Sequence, residues 1–138
     1  MASLLRISEA ASLGLHAMAL LAQNSGEEMS NAEVADRLKV SSAHLSKVFQ
    51  RLSHAGLVEG RRGPRGGFSL AKKPSKITLL DVYEAIEGDF EPDKCLFPEP
   101  ICSGKRCILG DAIKDINNLV KKALSRTKLS DLKKVFSR

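Results

Sequence analysis

Cys95, Cys102 and Cys107 are the only cysteines of the chain and fall within thirteen consecutive positions, separated by six and four residues. Thiolates are soft ligands, so three of them in one short stretch suit an iron-sulfur cluster or zinc better than magnesium or calcium. An odd cysteine count is a poor basis for a disulfide framework. In a reducing compartment it reads more readily as a set of metal ligands. A second kind of chemistry lies upstream. Between Lys47 and Lys76 eight Lys or Arg residues, at 47, 51, 61, 62, 65, 72, 73 and 76, stand against the single acid Glu59. That window carries +7, while the whole chain carries +6. Clustered cations supply the phosphate neutralisation on which nucleic-acid affinity rests, although a solvated basic face has the same composition.

The pattern around these residues says what must hold them. From Ser8 to about Gln23, apolar residues at Ala11, Leu15, Met18 and Ala22 recur at helical spacing, widened by Leu13, Leu20 and Leu21, which predicts a mostly buried first helix. Asn24, Ser25 and Gly26 stop it. Ser30 with Glu33 three residues on is a reciprocal capping pair, opening a short second helix through Ala32, Ala35 and Leu38. Ser41 is the expected N-cap of a third helix that turns Leu45, Val48, Phe49 and Leu52 inward and ends at Gly56. Two short helices joined by a tight turn make a helix-turn-helix. The outer face of the third helix carries Ser42, His44, Lys47 and Arg51, residue types that reach phosphates and base edges.

Short strands are expected at 57–60 and 67–71, flanking Arg61, Arg62 and Arg65, with Gly63, Gly66 and Gly67 supplying the turn freedom of a β-hairpin wing. An arginine at such a tip can enter a minor groove. Thr78 with Asp81 caps a fourth helix that runs to Gly88. Residues 89–107 read as a loop, holding Pro92, Pro98, Pro100 and all three cysteines. Leu109, Ala112, Ile113, Ile116, Leu119 or Val120, and Ala123 then mark a long amphipathic helix, either a lid on its own domain or a dimer seam. The expected class is mainly α with a small β-hairpin wing. It divides into a winged helix-turn-helix DNA-binding domain at 1–88, a cysteine loop at 89–107, and a dimerisation helix with C-terminal tail at 108–138.

Composition narrows the function. A chain of 138 residues with 43% hydrophobic and 28% charged residues is ordinary globular material for one domain with a core. It holds no apolar run of membrane-spanning length and no amino-terminal export pattern, so a cytoplasmic protein without membrane contact is expected. A P-loop, a dinucleotide fingerprint and a nucleophile with a placed base are all missing from the sequence, and His44 and His54 fall in the half that would read DNA. An enzyme is therefore not expected.

Three segments carry a specific resemblance: Leu45-Ser46-Lys47-Val48-Phe49-Gln50-Arg51-Leu52 followed by Ala55-Gly56-Leu57-Val58, then Arg62-Gly63-Pro64-Arg65-Gly66-Gly67-Phe68-Ser69-Leu70-Ala71, then Ile77 through Gly88. Together they resemble the IscR/NsrR/CymR family of bacterial winged-helix transcription regulators (the Rrf family), over nearly the whole chain. The family's pattern usually has Gly where this chain has Arg65, so the wing is one charge richer. The resemblance implies a homodimer seamed by the C-terminal helix, reading a roughly palindromic double-stranded DNA operator through Ser41, Ser42, His44, Lys47, Arg51, Arg61, Arg62, Arg65, Gly66 and Gly67. It also implies that Cys95, Cys102 and Cys107 hold a 2Fe-2S or 4Fe-4S cluster, completed by a residue that is not cysteine. His16 is the first choice for that ligand, drawn from the partner's first helix, and Glu9 the second; Ser12, aligned with an acid of other relatives, is a poor ligand. The function expected is a regulator, of the repressor type, whose operator affinity follows the cluster's response to redox, iron or nitric oxide status. The alternative is a regulator of the same fold without a cluster, responding to a partner protein, a small molecule, thiol oxidation or zinc.

Overall fold

The computed structural model describes residues 7–24, 27–63, 66–102, 106–132 and 134–136. Helices α1 (Glu9–Gln23), α2 (Asn31–Leu38) and α3 (Ser42–His54) come first, followed by strands β1 (Val58–Arg61) and β2 (Gly67–Leu70). A 3-10 turn (Pro74–Lys76) leads into α4 (Leu79–Glu87); a long loop then reaches α5 (Ala112–Arg126) and a last 3-10 turn (Leu129–Asp131). The helix starts follow local chemistry. Ser8 and Ser41 each accept an amide N–H three residues on, from Ala11 at 3.0 Å and His44 at 3.1 Å. Ser30 with Glu33, and Thr78 with Asp81, form capping boxes that satisfy two orphan amides apiece.

α1 runs through the middle of the core. Ala11, Ala17, Met18 and Leu21 are fully buried, and α3 presses Leu45, Val48, Phe49 and Leu52 toward it while α4 adds Val82 and Ile86. The contact between α1 and α4 is close because Gly14 has no side chain. A Cβ there would fall 2.0 Å from Ile86 Cδ1. Between α2 and α3 the chain turns through Lys39 in the left-handed region, φ 57°, which completes the helix-turn-helix.

The wing is a two-stranded antiparallel hairpin with Val58 opposite Leu70 and Arg61 opposite Gly67. Sequence reading placed the hairpin but missed its anchor. Met29, just before α2, pairs with Phe68 through two backbone bonds of 3.0 and 2.8 Å, so a third extended residue borders the hairpin. The Phe68 ring stacks on Phe49 of α3 at 4.2 Å between centroids and 7° between planes. Phe68 thus ties the wing to both ends of the helix-turn-helix.

α5 begins later than its apolar pattern predicts, because Gly110 (φ 59°) sits in a turn that keeps Leu109 outside the helix. Among its described residues Leu124 alone is buried, and Leu119 is 68% exposed. The chain then returns to the start of α4. Leu79 N–H donates to Thr127 O and Leu129 N–H to Ile77 O, both at 2.9 Å, and Leu129 enters the core. Among the described residues no helix is long and apolar enough to cross a membrane.

Gly67 lies over the backbone of Met29, where an added Cβ would stand 2.6 Å from the carbonyl oxygen. That atom is main chain and cannot swing aside. Gly67→Ala should therefore lower unfolding free energy by about 1–3 kcal/mol, as overpacking does. Chemical denaturation checks it, and an unchanged midpoint would show that the wing is not held in this register.

Candidate nucleic-acid interface and cysteine loop

The amino-terminal end of α3 is held from two sides. The Ser41 hydroxyl accepts the His44 amide, and Asn31 Nδ2 from the start of α2 donates to the Ser42 carbonyl at 2.9 Å. Leu45, Val48, Phe49 and Leu52 fill the inner face, which leaves Ser41, Ser42 and Lys47 in solvent with His44 and Ser46 half-buried. A helix presented by its amino terminus offers unpaired amide groups and the positive end of its dipole to an anion.

In the wing, Arg61 is exposed and lies 3.8 Å from the Glu28 carboxylate, a solvent-screened pair of little energetic weight. Arg62 is exposed as well. The hairpin closes through Gly66 N–H to Gly63 O at 2.9 Å, and a Cβ on Gly66 would fall 2.0 Å from the Arg61 carbonyl oxygen, so only glycine fits that approach. Arg65, expected at the wing tip, lies outside the described residues.

Arg51, expected as a DNA contact, is exposed on α3 and also reaches α4. Its Nη1 donates to the Ile86 carbonyl at 3.1 Å, in the last turn of α4. That end of α4 collects further partners. The Glu84 carboxylate accepts the Phe90 amide at 2.9 Å, the Tyr83 and Phe90 rings meet edge to face at 5.5 Å, and the Ser8 hydroxyl donates to the Glu87 carboxylate. Sequence reading missed these contacts, since each joins residues on different elements or in an irregular loop.

The cysteine loop starts where α4 ends. Cys95 and Cys107 are half-buried, Cys102 is exposed, and all three are free thiols. Cys95 Sγ accepts the Phe97 amide at 3.5 Å and Cys107 Sγ the Leu109 amide at 3.4 Å, the kind of N–H donation to sulfur that tunes a bound cluster. As a donor set, three free and reachable thiols fit an iron-sulfur cluster. Among the described residues of one chain, however, no three His, Cys, Asp or Glu side chains are grouped to hold a metal ion.

His16 is exposed on α1 and its Nδ1 lies 2.6 Å from Ser12 O. A carbonyl only accepts, so Nδ1 is the donor in this contact and Nε2 is the ring nitrogen left outside it. His16 and Glu9 both line a cleft of about 390 Å³, together with Ser12, Leu13, Arg37, Leu38, Val40 and Phe136. No cysteine lines that cleft.

A family model described as Rrf2, an iron-dependent transcriptional regulator, matches residues 7–134. A protein of Aquifex aeolicus (strain VF5), named as an HTH-type transcriptional regulator, is 33% identical over 128 residues, covering 91% of this chain and 89% of that one. The HTH-type transcriptional regulator IscR of Aliivibrio salmonicida is 31% identical over 101 residues, which is 73% of this chain and 60% of IscR. Among solved structures, CymR, the global cysteine regulator of B. subtilis, superposes with a TM-score of 0.76 at 29% identity, over 96% of this chain and 99% of CymR.

Tyr83, the chain's one tyrosine, reports on the end of α4. Its pKa is raised, first by burial and then by repulsion from Glu87. The neutral phenol is favoured in the fold, so this contribution to stability is complete below the unfolded pKa and is lost as pH rises through the higher folded one. An ultraviolet pH titration of the native protein should show a midpoint above the ordinary value of about 10. Glu87→Gln should lower that midpoint only in part, and a midpoint at the ordinary value would mean the ring is not packed as described.

Proposed function

The chain belongs to the Rrf2 family of transcriptional regulators, and from that premise we propose that it is a homodimeric, cytoplasmic DNA-binding repressor. Its operator affinity is set by an iron-sulfur cluster on Cys95, Cys102 and Cys107 that responds to redox, iron or nitric oxide status, with the partner's His16 as fourth ligand. Family membership excludes catalysis as its role. The observation that carries DNA binding is the pairing of an exposed α3 amino terminus with an exposed basic wing in one buttressed unit.

In the proposed division of labour, the dipole end of α3 at Ser41 and Ser42 receives a phosphate; Lys47 and His44 face the major groove, and Arg61, Arg62 and Arg65 with the close-approach glycines Gly66 and Gly67 meet the adjoining backbone or minor groove. The unburied apolar side of α5 with Leu119, and the exposed Ile108 and Leu109 before it, supply a surface for a second copy. A two-fold dimer places its recognition helices on half-sites about one helical turn, ~34–36 Å, apart. When bound, a cluster supplies a centre that oxidants and nitric oxide can alter. The chain's own part is to offer three thiols, two of them with amide donors, in a loop that begins at the end of α4. The ungrouped sulfurs and the likeness to CymR favour a second reading, in which the same dimer carries no cluster and answers to a partner protein, a small molecule, thiol oxidation or zinc.

On an operator recovered by selection from random duplexes, Arg62→Ala should weaken binding and reduce the slope of log affinity against log salt by about 0.9, the share of one phosphate contact. An unchanged slope removes Arg62 from the interface. Protein loaded anaerobically with iron and sulfide should be coloured, should sediment at twice the 15.0 kDa of one chain, and should bind the operator with a different affinity from the cluster-free form. Equal affinities would end the cluster-switch reading, and colourless protein carrying zinc would favour the alternative.

A further inference from the structure

We propose that Arg51, though it lies on the recognition helix, does not read DNA but is a positioning residue that couples the cysteine loop to that helix. The last carbonyls of a helix have no turn ahead to bond them and sit at the negative end of its dipole. α4 has no basic residue in its last turn. The missing cation comes from another helix, with the Arg51 guanidinium donating to Ile86 O at 3.1 Å.

What gives this contact a role beyond stability is where α4 leads. Gly88, at φ 85°, takes the chain out of the helix, and Phe90 is held back against it by the Glu84 carboxylate on its amide and by Tyr83 on its ring. Three residues later Asn117 Nδ2 of α5 donates to the Asp93 carbonyl at 2.8 Å, and Cys95 follows. The foot of the cysteine loop is thereby fastened to α4 at Phe90 and to α5 at Asp93, and the end of α4 is fastened to α3 by Arg51. Arg51 also lies one turn along α3 from Lys47, so a shift at the end of α4 is felt beside a residue placed against DNA. A contact path of this kind becomes a coupling only when both ends respond to each other, and linkage requires that response to be reciprocal. DNA bound on α3 must then steady the loop's foot.

This inference rests on the DNA-binding reading, and its test uses the full-length, cluster-free protein with and without the selected operator. In the wild type, amide exchange at Gly88 and Phe90 should slow by about fivefold on DNA binding, the low end of usual coupling. Arg51→Met keeps the apolar stem and removes the guanidinium; it should bind with the wild-type salt slope yet lose that slowing. A slope lower by about one would put Arg51 on a phosphate and overturn the proposal. So would slowing that survives in Arg51→Met, or its absence in wild type that binds DNA. Wild type that binds no duplex would instead fail the DNA-binding reading, and this inference with it. One measurement on the unmodified chain covers a variant that does not fold. The guanidinium nitrogen NMR signals of Arg51 should keep their positions when DNA is added, and a large shift would place the side chain on DNA and refute the coupling role.

Discussion

The burial of α1 on nearly all sides is the constraint from which the other positions follow. Ala11, Ala17, Met18 and Leu21 are entirely removed from water, so each surrounding element must present an apolar face to one central rod. Close packing makes such an arrangement intolerant of bulk. Gly14 is the point where this is sharpest, for it lets Ile86 of α4 come against the helix backbone while Val48 of α3 packs alongside. α3 and α4 are consequently referenced to the same few residues of α1, which is why a hydrogen bond between them, from Arg51 to Ile86, can have a defined length.

The same economy governs the wing. An isolated two-stranded hairpin is marginal in water. Here Phe68 stacks on Phe49, a contact worth about 0.5–1.5 kcal/mol beyond its buried area, and its backbone pairs with Met29. The wing therefore moves with the helix-turn-helix and not apart from it. Arg61 and Arg62 are carried at a set distance from Lys47, so that two separate basic elements share one surface. Charge decides that the surface is attractive to nucleic acid, whereas the aromatic pair decides its shape.

The cysteine loop and α5 are built on other terms. Few of their side chains are buried; Leu96, Phe97, Ile101, Ile108 and Leu119 all face solvent, and the hydrogen bonds that fasten the loop's foot include those at Phe90 and Asp93. A segment with little buried area opens at low free energy. Among the described residues of α5, Leu124 is the one buried apolar side chain.

Most of the local architecture was legible in the sequence because it depends on residues three or four positions apart. Ser30 with Glu33, Thr78 with Asp81, and Gly56 after α3 announce their own caps and stops, and the alternation around the wing glycines announces a hairpin. The fold class, the basic surface and the concentration of soft ligands in one loop were determined at that level, since charge, period and ligand softness are properties of residue type and spacing. Tertiary structure alone decided that Met29 borders the wing, that Lys128 returns to Thr78, that Arg51 turns to Ile86 and that, among the described residues of one chain, the three thiols are not grouped to hold a metal ion. Each of these joins atoms far apart in the chain or depends on how a loop is laid over the core. The physical reason is that side-chain direction is set by the packing of whole elements, a sum over many contacts that no short window of sequence contains.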